Sequence, residues 1–116
     1  METKFSSTTQ RVGAAQRQTS QRIKSMGLYM IIEHFTNGDP VPVYRRFRDR
    51  GRMAPEGLKY ISSWVDTRLT RCYQIMETDD PTLLDEWMAQ WRDIVEFEVH
   101  PVITSAQAVE AVATRL

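Results

Sequence analysis

One histidine and two glutamates are the residues of this sequence whose types and spacing best suit acid–base chemistry. Glu98 and His100 lie two residues apart in an alternating segment, and Glu33 lies within the apolar run at residues 27–35. Two close carboxylates oppose each other's ionisation, which leaves a proton donor at neutral pH, and a carboxylate orients a neighbouring imidazole. We therefore predict Glu33, Glu98 and His100 as a catalytic set with His100 as the base. The alternative is that His100, beside Pro101, is a structural or solvated residue.

Aromatic and polar residues at alternating positions predict a cavity wall around this set, on the sheet face away from the helices. Rings supply apolar area, and a few polar groups fix the orientation of a bound molecule. The predicted ligand-binding residues are Tyr29, Tyr60, Ser62, Trp64, Gln74 and Glu96. The same side chains would also suit an ordinary dimer interface.

Other candidate sites have weaker support. His34 has the opposite parity to Glu33, which favours a packing or capping role, and neither histidine has the spacing of a metal site, so no metal is predicted. No glycine-rich phosphate loop occurs, and no cofactor is predicted. Cys72 needs a neighbouring base or cation to become a nucleophile, so we predict a small buried residue. The arginines at residues 45–52 predict a solvated helix face, with Arg46 able to reach the sheet edge.

The composition predicts a single intracellular domain. The chain has 116 residues, of which 41% are hydrophobic, and its formal net charge of zero gives no reason to expect nucleic acid or a membrane as a partner. The only cysteine is Cys72, which favours a reducing compartment, and no apolar run approaches the roughly 18 residues of a membrane span. We therefore predict a cytoplasmic protein.

Three regions follow one another along the chain. Residues 1–26 are rich in Ser, Thr, Gln and Arg and lack an apolar period, so we predict a disordered N-terminal extension. Residues 27–103 have the alternation of a folded domain. In residues 104–116, Thr104 and Gln107 have the spacing of a capping box, which predicts a C-terminal helix.

The predicted domain contains six elements. Strands are predicted at residues 27–35, 58–66, 69–78 and 94–102. Helices are predicted at residues 41–50 and from Pro81 onward, where Trp87 and Trp91 share an apolar stripe. This order predicts a ferredoxin-like α+β fold, with four antiparallel strands in the order 4-1-3-2 and the helices on one face.

The sheet face away from the helices is predicted to be apolar. We expect it to carry Tyr29, Ile31, Tyr60, Trp64 and Met76. Because large exposed apolar patches mark interfaces, we predict a homodimer in which two sheets pack face to face.

Two long segments also resemble a known family. The segments are NGDPVPVYRRFRDRGRMAPEGLKYISSWV at residues 37–65 and RCYQIMETDDPTLLDEWMAQWRDIVEFEVHPVITSAQA at residues 71–108. They are similar to a bacterial family of uncharacterised function that is grouped with the dimeric α+β barrels. The resemblance covers about residues 27–108 and implies a dimeric α+β barrel, but it implies no particular activity.

The leading functional hypothesis is a homodimeric α+β barrel that binds a small organic molecule. Cofactor-independent chemistry, like that of a monooxygenase or an isomerase, would be one form of this function. The alternative is a non-catalytic interaction or stress-response protein whose sheet face serves only dimerisation. The sequence leaves open whether the protein is an enzyme.

Overall fold

The computed structural model describes residues 27–116, which form an α+β domain of four strands and three helices. In chain order, the elements are β1 (Gly27–Phe35), α1 (Val41–Arg50), β2 (Lys59–Val65), β3 (Arg71–Thr78), α2 (Thr82–Met88), β4 (Val95–Val102) and α3 (Ser105–Val112). The predicted order of strands and helices is confirmed. The predicted disordered extension at residues 1–26 lies outside the described residues.

The four strands form one antiparallel sheet in the order β2-β3-β1-β4, which is compatible with a ferredoxin-like fold. β1 lies inside the sheet because it is apolar on both faces. Its Ile31 is fully buried, and Met30 and Ile32, which point the other way, are partly buried. β4 is an edge strand and therefore tolerates Pro101, which has no N–H for a neighbouring strand.

α1 and α2 cover one face of this sheet, which we call the helix side. Val43 of α1 and Trp87 of α2 pack in a single core cluster with Ile31, Met76 and Val95 of the strands. Trp87 is only 1% exposed, and Ile31 and Met76 are fully buried. This burial of apolar area is the main stabilising contribution to the domain.

The opposite face, which we call the open face, follows from the strand register. Side chains of directly paired residues in an antiparallel sheet point to the same face. The open face therefore contains Met30 and Ile32 of β1, their partners on β3 and β4, and the β2 residues paired with those on β3. These partners are Tyr73, Ile75, Glu98, His100, Ser62 and Trp64.

The predicted membership of the two faces needs a correction. Four residues expected on the face away from the helices lie on the helix side instead, namely Tyr29, Ile31, Tyr60 and Met76. Ile31 and Met76 form the core on that side, and Tyr29 and Tyr60 both pair with Met76. Trp64 does lie on the open face and is 60% exposed. Alternation determines which residues share a face, but it does not determine which of the two faces the helices cover.

A β-bulge in β2 separates two residues that alternation would place together. The register shifts between Tyr60, which pairs with Met76, and Ser62, which pairs with Ile75. Ile61 is the extra residue, so Tyr60 faces the helix side and Ser62 faces the open side. The hydroxyls of Tyr60 and Ser63 lie 2.8 Å apart, which agrees with their lying on the same side.

Short polar side chains fix the ends of the elements. The carboxylate of Asp39 accepts the N–H of Val41 at the start of α1 (3.0 Å), and that of Asp80 accepts the N–H of Thr82 at the start of α2 (3.1 Å). Asp66 closes the loop between β2 and β3 by accepting the N–H of Thr70 at 2.8 Å. This loop is longer than the two residues that the alternation first suggests.

The C-terminal helix α3 begins with the predicted capping box. The Thr104 hydroxyl accepts the N–H of Gln107, and the Gln107 side chain accepts the N–H of Thr104. None of the residues of α3 is buried. The helix is therefore held by its own cap rather than by the core.

Candidate functional site

A cavity of about 140 Å³ lies on the helix side, between the sheet and the two covering helices. Its walls are mainly aromatic, with Phe35, Tyr44, Phe47, Trp87 and Trp91 around it. Val43 and Val65 complete the apolar part, and Glu33, Arg52, Ser63, Cys72 and Gln74 supply the polar part. Apolar walls with a few polar groups are typical of sites for small organic molecules.

Three of the polar side chains form a chain of hydrogen bonds. The Nε of Arg52 donates to Oε1 of Gln74 at 3.2 Å, and Nε2 of Gln74 donates to Oε2 of Glu33 at 3.3 Å. Gln74 is only 2% exposed. Its buried amide thus uses both a donor and an acceptor, and it fixes the positions of the two charged groups beside it.

Glu33 can exchange a proton near neutral pH. Burial raises the pKa of Glu33 to about 7, and the positive charge of Arg52 partly opposes this rise. Since both protonation states are populated near pH 7, this carboxyl can act as an acid or as a base. Glu33 is therefore the group in the cavity best suited to acid–base chemistry.

Arg52 is held in place through both its backbone and its side chain. Its carbonyl oxygen accepts the indole N–H groups of Trp87 and Trp91, each at 3.1 Å. Its guanidinium lies 3.7 Å from the ring centroid of Tyr60 and 5.3 Å from that of Phe47. These contacts place a positive charge at a defined point of the cavity wall.

The backbone around Arg52 adopts unusual conformations. Gly51 has φ 72° and ψ −162°, a region open essentially only to glycine, and Met53 has a φ of 63°. This sharp path from α1 turns the Arg52 carbonyl toward the tryptophans. A glycine is therefore needed at position 51 because the backbone conformation there places the Arg52 carbonyl near Trp87 and Trp91.

Cys72 lines the cavity as a buried thiol. Burial and the nearby Glu33 raise its pKa to about 12. The thiol therefore stays protonated near neutral pH, as expected for a small buried residue rather than a nucleophile.

Arg46 fulfils a structural role at the edge of α1. Its guanidinium donates two hydrogen bonds to the Asp93 carboxylate, at 2.8 and 2.7 Å, and a third to the Gln90 carbonyl at 2.8 Å. It also lies 5.6 Å from the Trp91 ring centroid. This arginine ties α1 to the turn after α2.

A second cluster of titratable groups lies on the open face. Oε1 of Glu98 is 2.9 Å from Nε2 of His34, and its Oε2 is 3.3 Å from Nε2 of His100. The hydrogen bond from His34, followed by that from His100, lowers the pKa of Glu98. The Glu98 and His100 side chains are about half exposed, and that of His34 is 37% exposed. Among the residues that the structure describes, no group of three or more ligands could hold a metal ion.

The predicted catalytic set is not assembled. Glu33 pairs with Phe97, and Glu98 pairs with Ile32, so the two carboxylates lie on opposite faces of the sheet. The prediction that Glu33, Glu98 and His100 converge on one cavity is therefore wrong. Instead, Glu98 and His100 meet His34, which was expected to have only a packing or capping role.

The predicted ligand-binding residues divide between the two faces. Gln74 lines the cavity, and Tyr29 and Tyr60 lie on the helix side outside its immediate lining. Ser62, Trp64 and Glu96 lie on the open face. A cavity was predicted on the sheet face away from the helices, whereas the cavity described above lies on the other face, beneath the helices.

Arg52 is the main site residue that sequence reasoning missed. It was grouped with the solvated arginines of α1, but it follows Gly51 and therefore lies beyond the helix. A glycine that ends a helix allows the next side chain to point back toward the core. This signal was present in the sequence.

The architecture defines an α+β domain with a four-stranded antiparallel sheet. Residues 27–116 match the model of a Domain of unknown function (DUF3303), and the chain belongs to that family. No match is found among curated proteins or among solved structures. Within residues 27–116, no helix is long and apolar enough to cross a membrane.

Proposed function

We propose that this protein binds a small organic molecule in the cavity on the helix side of its sheet. The observation that supports this is an aromatic cavity containing one chain of polar groups, Arg52, Gln74 and Glu33. A packed core leaves few voids of this size. Its volume of about 140 Å³ is close to the ~150 Å³ of an apolar cavity that accepts benzene. A molecule with a single ring is therefore the expected ligand.

The chemistry proposed for this cavity is proton transfer by Glu33. A carboxyl group that titrates near pH 7 can give a proton to one atom of a ligand and remove a proton from another. Such a shift, like that of an isomerase, needs no cofactor. The buried rings of Phe35, Trp87 and Trp91 would limit the access of water to the inner part of the cavity.

We also propose that the open face pairs with the same face of a second copy, as in a dimeric α+β barrel. Apolar residues occupy its centre, including Met30, Ile32, Ile75 and the exposed Trp64. Basic Arg71 and acidic Glu96 both pair with His34 at one end of this face. A face with both signs of charge can be self-complementary about a twofold axis.

Dimerisation alone is the alternative function, since the open face would serve it without any ligand. The oligomeric state is tested by replacing Trp64 with Glu, which should yield a monomer in analytical ultracentrifugation. Leu69→Glu is the control, because it introduces the same charge at an exposed loop position. A Trp64→Glu protein that remains a dimer would exclude this interface.

The single cysteine supports a cytoplasmic location for this function. Cys72 is buried, so it offers no exposed thiol for disulfide formation. A chain with one cysteine needs no oxidising compartment in order to fold.

Ligand binding is tested by filling the cavity. Val65 lines it from β2, and Val65→Phe should place a ring in the space that a ligand would occupy. We expect benzyl alcohol and benzamide to show saturation-transfer NMR signals with the wild type and to lose them with Val65→Phe. Val99→Phe is the matched control, because Val99 lies on the helix side of β4 but outside the cavity lining. Equal signals from both variants would refute the proposed site.

A further inference from the structure

The charges around the cavity are not balanced. Arg52 is the one cationic side chain in its lining, and it faces the carboxyl of Glu33 only through Gln74. Because Glu33 is near the midpoint of its titration at pH 7, the cavity retains a net positive charge for much of the time. An anion would remove this imbalance.

The guanidinium of Arg52 also has donors to spare. A guanidinium has five N–H groups, and within residues 27–116 that of Arg52 donates only one hydrogen bond, from Nε to Gln74. The remaining N–H groups have the planar arrangement that binds a carboxylate with two parallel hydrogen bonds. By contrast, Arg46 uses its corresponding N–H groups on Asp93 and Gln90.

The spare donors are held in position before any ligand arrives. The Arg52 backbone is anchored by Trp87 and Trp91, and its guanidinium lies against the Tyr60 ring. Binding therefore does not have to order a free arginine side chain, which would cost conformational entropy. A mobile surface arginine lacks this advantage.

We propose, on the basis of the function proposed above, that the cavity selects a single-ring carboxylate anion, bound between the side chains of Arg52 and Glu33. The ring would lie among Phe35, Phe47 and Trp87, and the carboxylate would accept hydrogen bonds from the Arg52 guanidinium. The Glu33 hydroxyl would donate a further hydrogen bond to the same anion. No covalent bond is made or broken in this binding step.

Benzoate and benzamide distinguish the charge of the ligand from its shape, because they have the same number of non-hydrogen atoms. Each is titrated by NMR into the full-length wild type at pH 6 in a buffer free of carboxylates. We expect benzoate to bind at least tenfold more tightly than benzamide. Equal affinities, or tighter binding of benzamide, would overturn the anion proposal while leaving the proposed function intact. Binding of neither compound would overturn both.

Arg52→Met tests the residue that selects the anion. The substitution keeps the carbonyl that Trp87 and Trp91 bind, and circular dichroism checks the fold. We expect benzoate affinity to fall at least tenfold and benzamide affinity to change less than threefold. Arg48→Met is the control, because Arg48 is exposed and pairs with Asp49 outside the cavity. An Arg52→Met protein that keeps its preference for benzoate, or that loses both compounds equally, would contradict the assignment. Arg52→Lys, which keeps the charge, should retain part of the preference.

Discussion

Two glutamates on neighbouring strands have opposite pKa shifts because they lie on opposite faces of the sheet. Glu33 lies on β1 and faces the helix side, where burial raises its pKa to about 7. Glu98 lies on β4 and faces the open side, where hydrogen bonds from His34 and His100 lower its pKa. Glu98 pairs with Ile32, the residue next to Glu33 in the chain. One step along a strand thus separates two opposite electrostatic environments.

The difference shows which physical effect determines the pKa of the glutamate on each face. On the helix side, loss of water outweighs the attraction of Arg52, which reaches Glu33 only through the Gln74 amide. On the open face, water remains and the direct hydrogen bonds decide the shift. The helix side therefore suits proton exchange with a bound molecule, and the open face keeps a fixed negative charge.

The largest predicted effect is a loss of stability that should differ between the tryptophan of the helix side and that of the open face. Trp87 is 1% exposed and donates its indole N–H to Arg52, whereas Trp64 is 60% exposed on the open face. Trp87→Ala should lower the free energy of unfolding by about 3 to 5 kcal/mol, because it opens a core cavity and removes an anchor of Arg52.

Trp64→Ala is the matched substitution on the other face. In the monomer it should cost less than about 1 kcal/mol, since a well-exposed side chain loses little packing. Urea denaturation followed by circular dichroism measures both variants at a dilution where the chain is monomeric. Similar losses in the two variants would contradict the assignment of the core to the helix side.

The second prediction concerns the pH dependence of stability that Glu33 imposes. The pKa of Glu33 in the folded state is raised from 4.5 to about 7. Its contribution to the free energy of unfolding is therefore fully present below about pH 4.5 and is lost as the pH rises to about 7. The loss should total roughly 3 kcal/mol, the free-energy equivalent of this shift. Among the groups that face Glu33, the Cys72 thiol and the Tyr44 hydroxyl stay protonated in this range, because burial raises the pKa of each.

Glu33→Gln should remove this dependence. The variant should gain stability relative to the wild type between pH 4.5 and pH 7, and the difference should be constant above that range. Glu98→Gln is the control on the open face. In this variant, the free energy of unfolding should still fall between pH 4.5 and pH 7, as in the wild type. Urea midpoints at a series of pH values provide the measurement. A constant difference between Glu33→Gln and the wild type from pH 4 to pH 8 would show that burial does not shift this carboxyl.

The sequence predicted the elements of this fold far better than it predicted the site. The bounds of β1 and α1, the capping box at Thr104 and the burial of Trp87 follow from local patterns and are confirmed. The prediction of the site was wrong because alternation placed Glu33 and Glu98 on the same face. These residues belong to different strands, and the register between strands depends on tertiary pairing rather than on local sequence.

Two further features of the site could not be placed from local sequence alone. The bulge at Ile61 places Tyr60 and Ser62 on opposite faces, and nothing in the alternation of β2 reveals an extra residue. Arg52 enters the cavity because of the conformation of Gly51 and the position of two distant indoles. Long-range contacts therefore determine the candidate site, even where local sequence determines the elements.

The smallest predicted effect concerns the two histidines that hold Glu98. Nε2 of His34 lies 2.9 Å from the carboxylate and Nε2 of His100 lies 3.3 Å away, so the first hydrogen bond is the stronger. Both His34→Ala and His100→Ala should raise the pKa of Glu98 toward its ordinary value, and His34→Ala should raise it more. Carbon-detected NMR titration of the side-chain carboxyl measures this shift, with the Glu33 signal as an internal reference on the other face. Glu33 should titrate as in the wild type, because the sheet lies between the two carboxyls. A larger change from His100→Ala, or a parallel change at Glu33, would mean that the two faces are not electrostatically independent.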